Sequence, residues 1–175
     1  RSIKLLKSKV EHDKTLVISG SKSESNRLLI LQELFPSLTI GNVSDSDDVC
    51  AMQGALASTG DVVDIHHAGT TMRFLTAYYS LCSTRELTLT GSSRMQERPI
   101  GVLVEALRQL GADITYSKKE GYPPLHIKGQ IAIGGKVELP ADVSSQYITA
   151  LLLVGTRLEN GIELHLVGNI TSRPY

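Results

Sequence analysis

Apolar residues along the chain recur with a period of two in some stretches and near 3.6 in others, and each switch marks an element boundary. Thr15 to Ser19 reads as a short strand that Gly20-Ser21 breaks, leaving room for a phosphate-sized group ahead of a helix predicted over about Lys22 to Leu34. After Pro36, Leu38 to Val43 alternates as a strand. The cluster Ser44-Asp45-Ser46-Asp47-Asp48 then supplies caps and first-turn acids for a helix through about Leu56. Val62 to His66 reads as another strand. The pattern then restarts with a helix from Gly69 through Cys82, a strand from Leu87 to Thr90, and a helix opened by Arg98-Pro99 and closed by Gly111, the ends that proline and glycine favour. Ile100, Leu103, Leu107 and Leu110 share one face of that helix, with Glu105, Arg108 and Gln109 elsewhere, as on an amphipathic surface helix. Ile114 to Tyr116 and Leu125 to Ile127 are predicted strands of a hairpin turning through Lys118-Lys119-Glu120-Gly121. A third start gives a strand near Val137 to Leu139, a helix from about Ser144 to Thr156 and a strand from Ile162 to Val167.

This order is a degenerate internal repeat of strand, helix, strand, helix and paired strands, with copies of varying length and the third copy incomplete. An α/β (α+β) fold of repeated units is expected. In the helix from Gly69, Met72, Leu75, Tyr79 and Cys82 make one apolar stripe and Phe74, Tyr78 and Leu81 another, while the helix from Ser144 carries Ile148, Leu151, Leu152, Leu153 and Val154 all round. Helices apolar on every side are buried, so both should pack inside a shell of other elements.

Composition narrows the function. Of the 175 residues 41% are apolar and 21% charged, ordinary for a folded chain. Lysine plus arginine and aspartate plus glutamate each total 18, so no net field draws the chain onto nucleic acid or an anionic membrane, and any anion must be gripped locally. No stretch approaches the ~20 apolar residues of a membrane span. The start, RSIKLLKSKVEHDK, lacks the apolar run of a secretory signal, so a cytoplasmic protein is expected. Cys50 and Cys82 lie in helical patterns without a partner at metal-ligand spacing, and both read as small core residues.

Each recurring helix opens with small and hydroxyl residues: Gly20-Ser21-Lys22-Ser23, Ala68-Gly69-Thr70-Thr71 and Val143-Ser144-Ser145-Gln146. A helix amino terminus offers unpaired N–H groups and a partial positive charge, so each is a candidate anion seat, although capping alone also accounts for such residues. Ser23 and Arg27 are one turn apart, as are Lys22 and Asn26. A hydroxyl, an ammonium and a guanidinium therefore gather at one helix opening, a set suited to a phosphate monoester or a carboxylate. Arg73 lies one turn into its helix, where a cation opposes the dipole and a bound anion would compensate it; Arg94 and Arg98 are one turn apart if that segment is helical.

The strings Ser21-Lys22-Ser23-x-Ser25-Asn26-Arg27, Asp45-Ser46-Asp47-Asp48-Val49, Ala68-Gly69-Thr70-Thr71-Met72-Arg73, Leu89-Thr90-Gly91, Arg94-Met95-Gln96-Glu97-Arg98-Pro99-Ile100-Gly101, Tyr122-Pro123-Pro124-Leu125 and Val143-Ser144-Ser145-Gln146 stand in the order of the EPSP synthase (3-phosphoshikimate 1-carboxyvinyltransferase) family, which the chain resembles over nearly its whole length. The resemblance implies transfer of a carboxyvinyl group from phosphoenolpyruvate to the 5-hydroxyl of shikimate 3-phosphate, through a tetrahedral intermediate and with no metal or organic cofactor. It implies that Lys22 touches both substrates and acts in proton transfer. Ser23, Arg27, Thr70, Ser144, Ser145 and Gln146 would hold shikimate 3-phosphate, with Ser172 and Tyr175 of Ser172-Arg173-Pro174-Tyr175 helping. Gly69 and Arg98 would hold phosphoenolpyruvate, with Gln146 reaching toward it. The implied fold has two lobes, each of three β-α-β-α-β-β units with inward-packed helices, and substrates bind in the cleft between them.

On that resemblance residues 1–14 belong with an opposite, carboxyl-terminal lobe and residues 15–175 form most of the amino-terminal lobe, so this chain alone is expected to be a monomer and catalytically silent. The sequence departs from the family at His67, usually asparagine; at Phe74 and Ser19, usually proline; at Arg173, usually lysine; and in a short stretch between Leu56 and Ile65. His67 either modulates the nearby phosphoenolpyruvate loop and its glyphosate sensitivity or makes a neutral hydrogen bond. Two rivals share fold features: UDP-N-acetylglucosamine enolpyruvyl transferase, which places a reactive cysteine at its donor site, and an RNA 3'-terminal phosphate cyclase-like protein. A net charge of zero, two phenylalanines and no tryptophan argue against the nucleic-acid class.

Overall fold

The structure, a computed structural model, describes residues 2–9 and 12–169. Twelve elements follow along the chain: α1 (Lys22–Leu34), α2 (Asp47–Ala57), β1 (Val62–Asp64), α3 (Gly69–Leu81), β2 (Glu86–Thr90), α4 (Ser93–Gln96), α5 (Gly101–Gln109), β3 (Asp113–Tyr116), β4 (Leu125–Lys128), β5 (Gly135–Pro140), α6 (Ser145–Gly155) and β6 (Ile162–Val167). One sheet has the order β1-β2-β4-β3, with β1 and β2 parallel and the other pairs antiparallel; β5 and β6 form a separate parallel pair. The inward positions Val63, Leu87, Leu89, Ile114, Leu125 and Ile127 alternate with exposed or half-buried neighbours, as a sheet covered on one face requires.

Helix α3 lies at the centre, against α1, α2, α5 and α6 and against β2 and β4. Only Thr70 and Tyr78 of its residues escape full burial, so the two stripes foreseen in the sequence are both covered. Two of its buried hydroxyls bond to its own backbone: Thr76 Oγ1 donates to the Met72 carbonyl at 2.7 Å and Ser80 Oγ to Ala77 at 3.2 Å. The stripe Ile100, Leu103, Leu107 and Leu110 is buried throughout. Helix α6 differs from expectation. It packs on α3, α1 and β6 and leaves Leu152 51% exposed, because none of the described elements covers that side.

Two expected strands are absent. Thr15 to Ser19 and Leu38 to Val43 have no ladder partner among the described residues, and a local pattern without a partner leaves the backbone irregular. The helix expected from Arg98-Pro99 begins at Gly101, and the short α4 carries Arg94 but ends before Arg98. Gly111 closes α5 at φ +96°, a left-handed position that glycine adopts without penalty.

Parallel strands joined through a helix occur twice, β1-α3-β2 and β5-α6-β6. Both helices therefore begin just past the carboxyl end of a strand, the end of an α/β unit at which ligands gather. The connection from α2 to β1 is short, and Arg85 closes it: its guanidinium donates to the Ser58 carbonyl at 2.7 Å and the Gly60 carbonyl at 2.8 Å while lying over the Tyr79 ring at 5.5 Å. The Tyr79 hydroxyl in turn donates to the Ala55 carbonyl at 2.9 Å. No helix among the described residues is long and apolar enough to cross a membrane.

Gly129 joins β4 to the α3 end of the core by donating its N–H to the Arg85 carbonyl at 2.8 Å. A Cβ there would crowd three backbone carbonyls, those of Ser83, Arg85 and Tyr79. Gly129→Ala should therefore destabilise the chain by about 1–3 kcal/mol, through overpacking that no side-chain rotation relieves, read as a drop in thermal midpoint. An unchanged midpoint would contradict the packing.

Candidate anion-binding site

The amino termini of α1, α3 and α6 are linked by a run of polar contacts. The Lys22 ammonium, in the first turn of α1, meets Asp48 Oδ2 at 3.3 Å, with the lysine side chain 52% exposed and the aspartate 16%. Asp48 belongs to α2, and its backbone carbonyl accepts from Thr71 Oγ1 of α3 at 2.9 Å. The neighbouring Thr70 Oγ1 accepts from Gln146 Nε2 of α6 at 3.2 Å. Lys22, Thr70 and Gln146 thus fall along one connected path.

Capping separates the three termini. Ser21 Oγ accepts from the Glu24 N–H at 3.4 Å, and Ser144 Oγ accepts from the Gln146 N–H at 3.4 Å, so these serines serve as caps whatever else they bind. Ala68 precedes α3 and offers no side-chain cap, which leaves the opening N–H groups of that helix without one. Ser145 is half-buried in the first turn of α6. On α1, Arg27 donates to the Ser23 carbonyl at 2.6 Å and lies over the Phe74 ring at 5.7 Å, so these two residues bond to each other and lean on α3. Gly20 makes the close approach expected of it, but to the chain's own backbone: a Cβ there would overlap the Asn42 carbonyl. Ser172 and Tyr175 lie outside the described residues.

Gly69 opens α3 against two arginines. A Cβ on Gly69 would meet Arg98 and would come 3.0 Å from a terminal nitrogen of Arg73. Arg73 donates to the Gly69 carbonyl at 2.6 Å and lies over the Tyr147 ring at 5.4 Å. Burial pushes the Arg73 guanidinium below its ordinary pKa and neighbouring Arg98 adds to this, while Tyr147 and Asp48 oppose it. A cavity of about 670 Å³ lined by His67, Ser92, Ser93, Arg94, Met95 and Arg98 adjoins this seat, and one of about 900 Å³ lies between α2 and β1, with Lys22, Asp48, Cys50, Asp64 and His67 on its walls. His67 borders both cavities and its Nδ1 shares a hydrogen bond with Ser92 Oγ at 3.2 Å.

The sequence profile of the EPSP synthase (3-phosphoshikimate 1-carboxyvinyltransferase) family matches residues 54–175. The chain belongs to that family. A 3-phosphoshikimate 1-carboxyvinyltransferase of Bacteroides fragilis is 51% identical over 163 residues, covering 92% of this chain and 39% of that protein. The enzyme of the same name from Photorhabdus laumondii is 42% identical over 189 residues, covering 92% and 44%. A solved EPSP synthase of Acinetobacter baumannii superposes with a TM-score of 0.67 at 23% identity, over 82% of this chain and 38% of that one, and shows a shared mixed α/β fold. The chain thus spans about two fifths of the length of these curated relatives. These matches favour EPSP synthase over both rival families.

Three participants were not assigned to the site from sequence. Asp48 read as a first-turn acid of α2, yet its side chain reaches back to Lys22, 26 residues away in sequence. Tyr147 was not singled out in the sequence. Its hydroxyl donates to the Pro99 carbonyl at 2.8 Å. Ser92 caps α4 and also meets His67.

The reading of Cys50 as a core residue requires correction, while Cys82 packs against the core. Cys82 is half-buried just after α3 and burial pushes its thiol up to about 11, whereas Cys50 is exposed on α2, because that side of the helix faces the larger cavity rather than the core. At pH 8 the thiolate of Cys82 is on the order of a thousandth of the population. A thiol reagent should therefore modify one cysteine per native chain rapidly, and Cys50→Ser should abolish that phase; reaction of Cys82 should appear only as pH nears 11 or on unfolding.

The obstacle to a side chain at Gly69 is chiefly the movable end of Arg98. Gly69→Ala is therefore expected to shift the thermal midpoint by less than about 3 °C. By displacing Arg98 it should weaken inorganic phosphate binding roughly tenfold, measured by calorimetry.

Proposed function

We propose that this chain supplies much of the substrate site of an enzyme that transfers the carboxyvinyl group of phosphoenolpyruvate to the 5-hydroxyl of shikimate 3-phosphate, releasing phosphate. The observation that carries this reading is the junction of three helix amino termini through Lys22, Asp48, Thr71, Thr70 and Gln146, with Gly69 and Arg98 at its edge. Two multiply charged anions must be brought together for this reaction, and preset cations and N–H groups lower the cost of their approach.

In this reading Lys22 stands between the two substrates, polarising the donor phosphate and moving a proton. Ser23 and Arg27 face the shikimate carboxylate side, Ser144, Ser145, Gln146 and Thr70 hold the 3-phosphate and its surroundings, and Ser172 and Tyr175 assist. Gly69 and Arg98, with Gln146, hold phosphoenolpyruvate. Addition of the 5-hydroxyl to the substituted vinyl carbon, with a proton to the methylene carbon, gives a tetrahedral intermediate; loss of that proton and of phosphate gives the enolpyruvyl ether. Oxyanion and phosphate charge grow in both steps, and the cations stabilise it. No metal or organic cofactor takes part in this scheme.

The wider architecture in this reading is a lobe of β-α-β-α-β-β units, with residues 15–175 forming most of it and residues 1–14 belonging with a second, carboxyl-terminal lobe across a cleft. Ile3, Leu5 and Leu6, each at least 74% exposed, are apolar surface of the kind such a lobe would cover. The protein is monomeric and cytoplasmic on the same reading.

Calorimetry of the 175-residue chain tests the assignment. Shikimate 3-phosphate should bind saturably, and Lys22→Met and Arg27→Met should each weaken it roughly tenfold or more. The chain given both substrates should release no phosphate. Binding of UDP-N-acetylglucosamine in its place, or salt-sensitive binding of RNA, would overturn the assignment.

A further inference from the structure

Arg73 is the most deeply placed cation near the site, and the proposed mechanism gives it no task. The residue is 9% exposed, and its Nε is buried without a hydrogen-bond partner. Among the described residues no carboxylate forms an ion pair with Arg73 or with Arg98, and Asp48, the acid close enough to influence Arg73, is engaged by Lys22. Removing a guanidinium from water is costly unless its charge and donors are met, and here the partners in hand are neutral: the Gly69 backbone carbonyl at 2.6 Å and the Tyr147 hydroxyl. The tyrosine ring beneath it, 5.4 Å away, offsets part of that cost.

That ring belongs to Tyr147, which is itself 7% exposed and ties the other side of the seat: its hydroxyl donates to the carbonyl of Pro99, the residue after Arg98, at 2.8 Å. Arg73 and Tyr147 therefore lie under both sides of one close approach. One side is the Gly69 backbone at the uncapped start of α3, and the other is the Arg98 guanidinium, whose central carbon lies 3.1 Å from the position a Gly69 Cβ would take. Neither residue bears on this approach through local sequence alone, since α3, α6 and the segment before α5 all meet here.

We propose that Arg73 and Tyr147 are positioning residues that fix the spacing between the Gly69 backbone and the Arg98 guanidinium, so that the seat is preformed for a phosphate-type anion. The inference rests on reading Gly69 and Arg98 as the donor's anion seat and adds to it two residues that never touch the ligand. Arginine suits the task because its planar fork donates to a carbonyl and stacks on an aromatic ring at once. Its charge, lacking a carboxylate partner, adds to the field in which the anion sits. A seat held at fixed spacing spends less binding energy on ordering itself, so its looseness should be read directly in affinity.

The test is a titration of inorganic phosphate into the 175-residue chain, following the amide resonances of Gly69 and Thr70. Tyr147→Phe keeps the ring and removes the hydroxyl, and should weaken phosphate about fivefold, the worth of one buried hydrogen bond. In an Arg98→Met background the same change should alter the remaining affinity by less than about 1.5-fold, because it acts through Arg98. Arg73→Met should weaken phosphate roughly tenfold, and Arg73→Lys, which keeps the charge and one donor, should restore it to within about threefold of the starting chain. An equal effect of Tyr147→Phe with and without Arg98 would overturn the proposal, as would unaltered affinity in folded Arg73→Met. If Arg73→Met does not fold, Arg73→Lys and the Tyr147→Phe cycle decide. Loss of affinity in Arg98→Met with none in Arg73→Met or Tyr147→Phe sinks the positioning role and leaves the donor seat standing. Failure of phosphate to shift Gly69 and Thr70 at all sinks the seat and this inference together.

Discussion

Helix α3 has no side that it can present to water, and most of the architecture follows from covering it. Met72, Phe74, Leu75, Tyr79 and Leu81 point in different directions and are all at most 2% exposed, each removing about 1.5–3 kcal/mol of apolar surface cost from water. Helices α1, α2, α5 and α6 and the strands β2 and β4 make the sleeve. What such a sleeve leaves open is an end. The end of α3 that meets the candidate seat is its amino terminus, which carries positive partial charge and lacks a side-chain cap, so the element that organises the core also forms part of the proposed anion site.

The charges around that end are arranged so that each is held by something that gives little back. Lys22 and Asp48 form a half-exposed pair, of a kind worth roughly 0–1 kcal/mol, so the ammonium can turn to a ligand at small cost. Arg73 is fixed by a carbonyl and a ring, and Arg27 by a carbonyl and another ring. Cations held by neutral partners keep their charge available. In the proposed site, a chain with no net charge would thereby hold an anion in one place without attracting anions everywhere.

The sequence made those parts legible whose signal is local. The stripe from Ile100 to Leu110, the doubly apolar α3 and the strand Ile162 to Val167 were readable because one period ran through the whole element. Thr15 to Ser19 and Leu38 to Val43 also read as strands, but a strand needs a partner edge, and local pattern does not say whether one exists. Leu152 and Cys50 show the same gap in another form: apolar or small residues on a helix announce a face, while their cover is decided by distant chain. In the site, Lys22, Thr70, Gln146, Gly69 and Arg98 stood out by residue type at helix openings. Asp48 and Tyr147 did not, because their partners lie 26 and 48 residues away and nothing near them in sequence hints at the pairing.

Arg85 bears on how this fold can change length. One guanidinium claims the carbonyls of Ser58 and Gly60 and is itself clamped on Tyr79, so the crossing from α2 to β1 works as a closed splice. Lengthening that crossing would uncouple both carbonyls and release the clamp, unless the added residues formed a ladder of their own. Segments grafted there should therefore be tolerated in whole structural modules and rejected residue by residue.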